Sequence, residues 1–304
     1  MITRTVWCTA LLVSASLPAL AATPIHQVRP LSAEGTVSID NVKGRIVVRT
    51  WDRAEVGITG TLGEGVEKLL VEGTADDLRI EVRNPSGGGG WFGWGGDGGR
   101  SGPSVIEVSV PARAGVKVDS VSASVAISGV AGRRLSVDTV SGNVVVSAAR
   151  PGEASIDSVS GDLDLDLETA SLAVDSVSGD VRVKGRLSGS VEINTVSGDA
   201  ELSAGRLERL ALNSVSGDSR VRAGLAPGGR ISSDSVSGGL TLTLPADTSA
   251  RLRVETFSGG ISSPVGKVQT EEYGPGKRLE ARLGAGGGEI RLESFSGDVR
   301  VEIE

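Results

Sequence analysis

The chain repeats itself, and the repeat limits the folds open to it. The tetrad Val-Ser-Gly-Asp and close variants recur at Val121, Val140, Val159, Val177, Val196, Val215, Val236, Phe257 and Phe295. The spacings are 19, 19, 18, 19, 19, 21, 21 and 38 residues, the last being two periods. A further copy, IDNVKGRIVV, centres on Val42, 79 residues before Val121 and about four periods away. A fixed period near 20 filled with β-formers is the mark of a solenoid, whose coils bury a core only by stacking on one another. Gly and Ser at the turns and alternating Val, Leu and Ile between them make the expected class all-β. The expected architecture is a single-stack parallel β-solenoid of roughly 19-residue coils.

Side-chain parity gives each coil a shape. In ASIDSVSGDLDLDLE, Ala154 and Ile156 alternate in one phase, and Val159, Gly161, Leu163, Leu165 and Leu167 in the other. Alternation marks a half-buried strand, so a change of phase marks a bend, which this reading places at Asp157-Ser158. The central valines then point inward, and Val140, Val159, Val177, Val196 and Val215 form one buried column. Val196→Asp should therefore be severely destabilising, because it buries an unpaired charge. Charges offer a check on register. Five residues after each valine the chain reads Asp164, Arg182, Glu201, Arg220. Such alternation of sign favours neighbours one strand apart, and Asp166 should lie beside Lys184.

Two stretches break the period. Residues 84–103, NPSGGGGWFGWGGDGGRSGP, are too rich in Gly for a strand and form a surface loop. Residues 264–288 interrupt the last two copies. The organisation expected is a leader over 1–21, an atypical N-terminal β region over 22–111, and regular repeats over 112–304 with the insertion 264–288. The leader has Arg4, an apolar run from about Val6 to Leu17 and the small-residue site Ala19-Leu20-Ala21, the three parts of a secretory signal. Export to the periplasm or to the cell surface and outer membrane follows, with no transmembrane segment after signal removal. Cys8, the only cysteine, departs with the leader.

Composition excludes most catalytic classes. With one His, one Cys and one Met in 304 residues, the chain lacks the ligands of a soft metal centre and has only His26 as an imidazole base. A net charge of −7 argues against nucleic acid. No cofactor, metal site or catalytic residue is assigned. Asp162, Asp180, Asp199, Asp218 and Asp298 follow the turn, and Asp119, Asp138, Asp157 and Asp175 occupy the corner, continued by Asn194, Asn213 and Asp234. Stacked carboxylates invite Ca²⁺, but local Asx-type turns account for Asp there. Paired acids also raise a carbohydrate-active enzyme on a β-helix scaffold, yet no coil differs from its neighbours as an active one should. The serines Ser141, Ser160, Ser178, Ser197 and Ser216, with no base beside them, read as a hydroxyl ladder.

The least repetitive feature is Trp91, Phe92 and Trp94 on the Gly-rich loop. Large aromatics amid glycines make a candidate partner-binding anchor. The segments IDNVKGRIVVRTWDRAEV, the VSGD repeats and GGGEIRLESFSGDVRVEI together resemble a bacterial family of adhesin-like β-strand-repeat proteins of unknown function. That resemblance implies an exported β-solenoid and suggests adhesion; with the residue readings above, the function expected is that of a non-enzymatic structural or binding protein with an envelope protein or a surface glycan as partner. It transfers no catalytic residue. An envelope scaffold or stress component is the other non-enzymatic reading.

Overall fold

The computed structural model describes residues 23–85, 101–272 and 274–304. They form one all-β unit in a 23-stranded mixed sheet, with no helix among the described residues. In its middle the sheet is parallel and in register, one coil to the next. Glu153–Ser160 lies between Arg134–Ser141 and Thr169–Ser178, with Asp157 opposite Asp138 and Asp175. Leu163–Leu167 lies between Val144–Ala149 and Val181–Lys184, with Leu163 opposite Val144 and Val181. The charge ladder falls in this register: Asp164 faces Arg182, Arg182 faces Glu201, Glu201 faces Arg220, and Asp166 faces Lys184.

Both ends depart from a purely parallel stack. At the N-terminal end, Thr36–Trp51 stacks directly on Gly115–Ser128, with Asp40 opposite Asp119. The described residues linking these two strands do not lie between them; they stack on the far side of Thr36–Trp51. Asp77–Arg83 and Ser104–Pro111 pair parallel to the other edge of Thr36–Trp51. Antiparallel strands then close the sheet: Lys68–Gly73 on Asp77–Arg83, Glu55–Leu62 on Ser104–Pro111, and Thr23–Pro30 on Glu55–Leu62. At the other end the order in space is not the order in sequence. Gly288–Ser296 inserts between Ser219–Ser237 and Ala250–Thr256, so Phe295 lies between Val236 and Phe257. Lys277–Leu283 then covers Ala250–Thr256 antiparallel. A parallel stack would leave unpaired edges as templates for aggregation, and antiparallel hairpins cover them.

The core is a continuous file of small aliphatics. Ile156, Leu163, Leu165, Val174, Val181 and Ile193 are fully buried, each burial contributing roughly 1.5–3 kcal/mol. The central valines are not among them. Val140, Val159, Val177, Val196 and Val215 are 47–49% exposed, so the expected buried column is an outer one. The bend lies three residues later than parity suggested. Ala154, Ile156 and Ser158 all point inward, Val159 points out, and the phase changes at Gly161. Gly161 has φ +132°, a conformation L side chains rarely adopt. A Cβ there would also strike the Gly142 carbonyl of the coil below. The phase change therefore sits where only glycine fits, and the inward position before it belongs to a hydroxyl residue.

Candidate ligand groove

On each strand leading into the corner, the residue before the hydroxyl and the residue after it share the outer face. Stacking turns them into two parallel columns. One is acidic to polar: Asp40, Asp119, Asp138, Asp157, Asp175, Asn194, Asn213, Asp234, Glu293 and Glu255, in spatial order. The other is apolar: Val42, Val121, Val140, Val159, Val177, Val196, Val215, Val236, Phe295 and Phe257. All ten of these are exposed, Phe295 at 58%. The phenyl rings of Phe295 and Phe257 stack with centroids 4.9 Å apart. Between the columns runs a groove of about 1120 Å³, from Asp119 and Val121 to Phe257. With ~4.8 Å between strands, ten rungs extend about 40 Å. The insertion closes the far end, where Glu271, Gly276, Lys277 and Arg278 line the groove.

Beneath the floor lie the buried hydroxyls Thr139, Ser158, Ser176, Thr195, Ser214 and Ser235, without a hydrogen-bond partner among the described residues. The serines singled out from sequence, Ser141, Ser160, Ser178, Ser197 and Ser216, lie beyond the valines and are exposed. The Ser of the Val-Ser-Gly triplet is the more conspicuous repeat in the sequence, but the buried ladder is the Ser or Thr two residues before it. Its signal was the recurrence of Ser or Thr in the phase of the buried Ile and Val.

Crowding shapes the acidic wall. Burial, then a shared hydrogen bond and repulsion from Asp138, with Asp175 adding to it, push the Asp157 carboxyl up to about 6. Burial and Glu293 likewise raise Asp234. Burial also raises Asp40, against the pull of Arg79, 2.9 Å away. Burial opposes ionisation of Glu255 too, but Arg253 and Arg278 outweigh it and bring that carboxyl below its usual range. Asn194 relieves the middle of the column. Its amide donates to Asp175 Oδ1 at 2.8 Å, and Asn213 donates to Asn194 Oδ1 at 2.7 Å. Lys117 sits 3.1 Å from Asp119 and 4.0 Å from Asp138. Asp157 and Asp175 make no ion pair among the described residues.

The second acidic series does something else. Asp162 Oδ1 accepts the backbone N–H of Asp180 at 3.0 Å, Asp180 that of Asp199 at 3.1 Å, and Asp199 that of Asp218 at 2.9 Å. Asp218 continues to Gly239, and Asp298 to Gly260. Each carboxylate thus tethers the next coil rather than closing an Asx turn within its own. No group of metal-ligating side chains forms among the described residues.

Trp91, Phe92 and Trp94 lie outside the described residues, but the anchors of their loop are placed. The strand Asp77–Arg83 keeps register with Thr36–Trp51 up to Asp40 opposite Glu81, and Ser104–Pro111 resumes it at Gly44 opposite Ser104. The chain therefore leaves the stack after Arg83 and re-enters it at Ser104, on either side of the corner position next to Val42.

Residues 36–302 match the Toastrack DUF4097 family. The chain belongs to that family. Its fold is shared by a "putative lipid binding protein" from Parabacteroides distasonis, at 14% identity and TM-score 0.53 over 91% of this chain and 96% of the other. Looser likenesses are a "putative adhesin" from Bacteroides fragilis (14% identity, TM-score 0.40, 94% and 99% covered) and another from P. distasonis (9%, 0.38, 93% and 98%). Comparison with curated proteins gave no match. No helix among the described residues of this Toastrack chain is long and apolar enough to cross a membrane.

Proposed function

We propose that this Toastrack protein is an exported, non-catalytic binding protein of the bacterial envelope that holds an elongated partner along the Asp–Val groove. The observation that carries the reading is the file of ten stacked, exposed valines and phenylalanines. A soluble protein rarely leaves so long an apolar stripe open unless something covers it. The stripe is built by the repeat, so it is narrow and linear and suits an extended partner rather than a globular one. Adhesion to a surface glycan and scaffolding of an envelope protein are both readings of such a surface. Export rests on the leader pattern of residues 1–21. The strands that flank residues 84–103 stack beside Asp40 and Gly44, one rung beyond the end of the groove, which supports a role for Trp91, Phe92 and Trp94 as a second anchor for the same partner.

The test is retention of polysaccharides, phospholipid vesicles and extended peptides by the purified protein and by its Val159→Thr, Val177→Thr, Val196→Thr variant. Loss of retention at unchanged melting temperature supports the reading. Turnover of any polysaccharide that disappears on changing Asp138 and Asp157 to Asn would replace it with an enzymatic one.

A further inference from the structure

Resting on the binding reading of this groove, we propose that its occupant is a linear aliphatic polyamine with three-carbon spacing, its ammonium groups on the aspartate column and its methylenes on the valine column. The aspartates Asp119, Asp138, Asp157 and Asp175 occupy successive in-register rungs, so their repeat along the axis is the strand spacing, ~4.8 Å. Two amines joined by three methylenes are four single bonds apart, which in an extended zigzag span ~5 Å. The two repeats match. A four-carbon linker adds another bond, about 1.2 Å of rise, and drifts out of step within two rungs. An extended polypeptide advances ~3.4 Å per residue and meets the rungs at no regular interval.

Width and charge point the same way. The two walls are i and i+2 on one strand face, ~6.6 Å apart along the backbone. That spacing seats an extended methylene chain against the valines with its ammonium groups turned to the aspartates. The acidic wall is short of cations at the same place, since Asp157 and Asp175 form no ion pair among the described residues and Asp138 only a 4.0 Å contact with Lys117. Asn194 and Asn213 end the run of charge on one side, and on the other Asp119 already pairs with Lys117 and Asp40 with Arg79, so the site spans the three rungs Asp138, Asp157 and Asp175 and suits a triamine. Burial, with Asp138 and Asp175 on the two flanking strands, raises the Asp157 carboxyl, and Ser155 on its own strand opposes them. Bound ammonium groups would lower it, and binding should weaken as pH falls below about 6.

Calorimetric titration with norspermidine (three-carbon linkers), homospermidine (four-carbon linkers) and Mg²⁺ at pH 7.5 tests the proposal. Norspermidine should bind at least tenfold tighter than either of the others. Asp157→Asn with Asp175→Asn should lose at least tenfold; Asn already occupies this column at Asn194 and Asn213, so folding is retained. Val159→Thr with Val177→Thr should weaken binding severalfold, which attraction between charges alone would not produce. Equal affinity for both triamines, or no heat at millimolar amine, overturns the proposal. The neutral apolar dye N-phenylnaphthylamine separates that failure from failure of the groove reading. Dye bound by the protein and lost in the valine variant leaves the groove reading standing without polyamine; no dye binding removes both.

Discussion

Gly198→Ala should be among the most damaging single-methyl changes available in this chain. Gly198 sits at φ +117°, outside the region open to L side chains, which costs on the order of 1–3 kcal/mol for a non-glycine residue. A Cβ at this position would overlap the Gly179 carbonyl oxygen and lie 2.7 Å from its carbon. The obstruction is backbone, so one coil must lift from the next. Lifting strains the adjacent tethers, Val181 N–H to the Asp199 carbonyl at 2.9 Å and Asp199 N–H to Asp180 Oδ1 at 3.1 Å, each contributing about 1 kcal/mol. Together these give roughly 3–5 kcal/mol. Gly228→Ala is the control. Gly228 also has positive φ, +75°, but nothing lies within 4 Å of its Cβ position, so only backbone strain, about 1 kcal/mol, applies. Urea denaturation followed by circular dichroism at neutral pH gives both values. If Gly198→Ala costs no more than Gly228→Ala, stacked glycines do not set the coil spacing.

Val196→Asp should change stability by about 0.5 kcal/mol or less, because Val196 is 47% exposed, whereas Ile193→Asp in the same coil should prevent folding; thermal melts compare them. Asp157 is a carboxyl raised from 3.8 to about 6 in the folded protein, so its stabilising effect is complete below pH 4 and is lost as pH rises through 6. Asp157→Asn should thus stabilise the fold at pH 7.5 by about 1 kcal/mol, after discounting for its partial exposure, and not at pH 4, as urea denaturation at the two pH values would show. Asp180→Ala should cost about 1 kcal/mol by leaving the Asp199 N–H without its acceptor, while millimolar Ca²⁺ should leave the wild-type melting curve in place. Replacing Trp91, Phe92 and Trp94 with Ser should weaken partner association and keep the melting temperature; a marked drop would make them part of the fold.

The repeat, the in-register charge ladder and the all-β class were legible in the sequence because each follows from spacing alone. The groove was not, and the reason is one of parity. Val159 shares odd numbering with Leu163, Leu165 and Leu167, while Ser158 shares even numbering with Ile156. Hydrophobicity favours the first grouping and puts Val159 inside. The deciding residue is Gly161, whose positive φ makes it the corner; a bend placed at the glycine leaves Ser158 in and Val159 out. The ends were illegible for a different reason. Nothing local records that Gly288–Ser296 inserts ahead of Ala250–Thr256, or that the coil of Val42 lies against that of Val121, since both depend on pairing between distant strands. The roots of the 84–103 loop at the corner became visible only once that register was known.

Whether partners occupy the channel between the aspartate and valine columns is decided by filling it. Val177→Cys labelled with a bulky maleimide places an adduct in the groove, and Asp164→Cys labelled likewise places one on the outer flank, where Asp164 is exposed and pairs with Arg182. The measurement is N-phenylnaphthylamine binding by the two labelled proteins. The account predicts that the adduct at 177 abolishes dye binding and the adduct at 164 leaves it at the wild-type level. Full dye binding with position 177 blocked would contradict it.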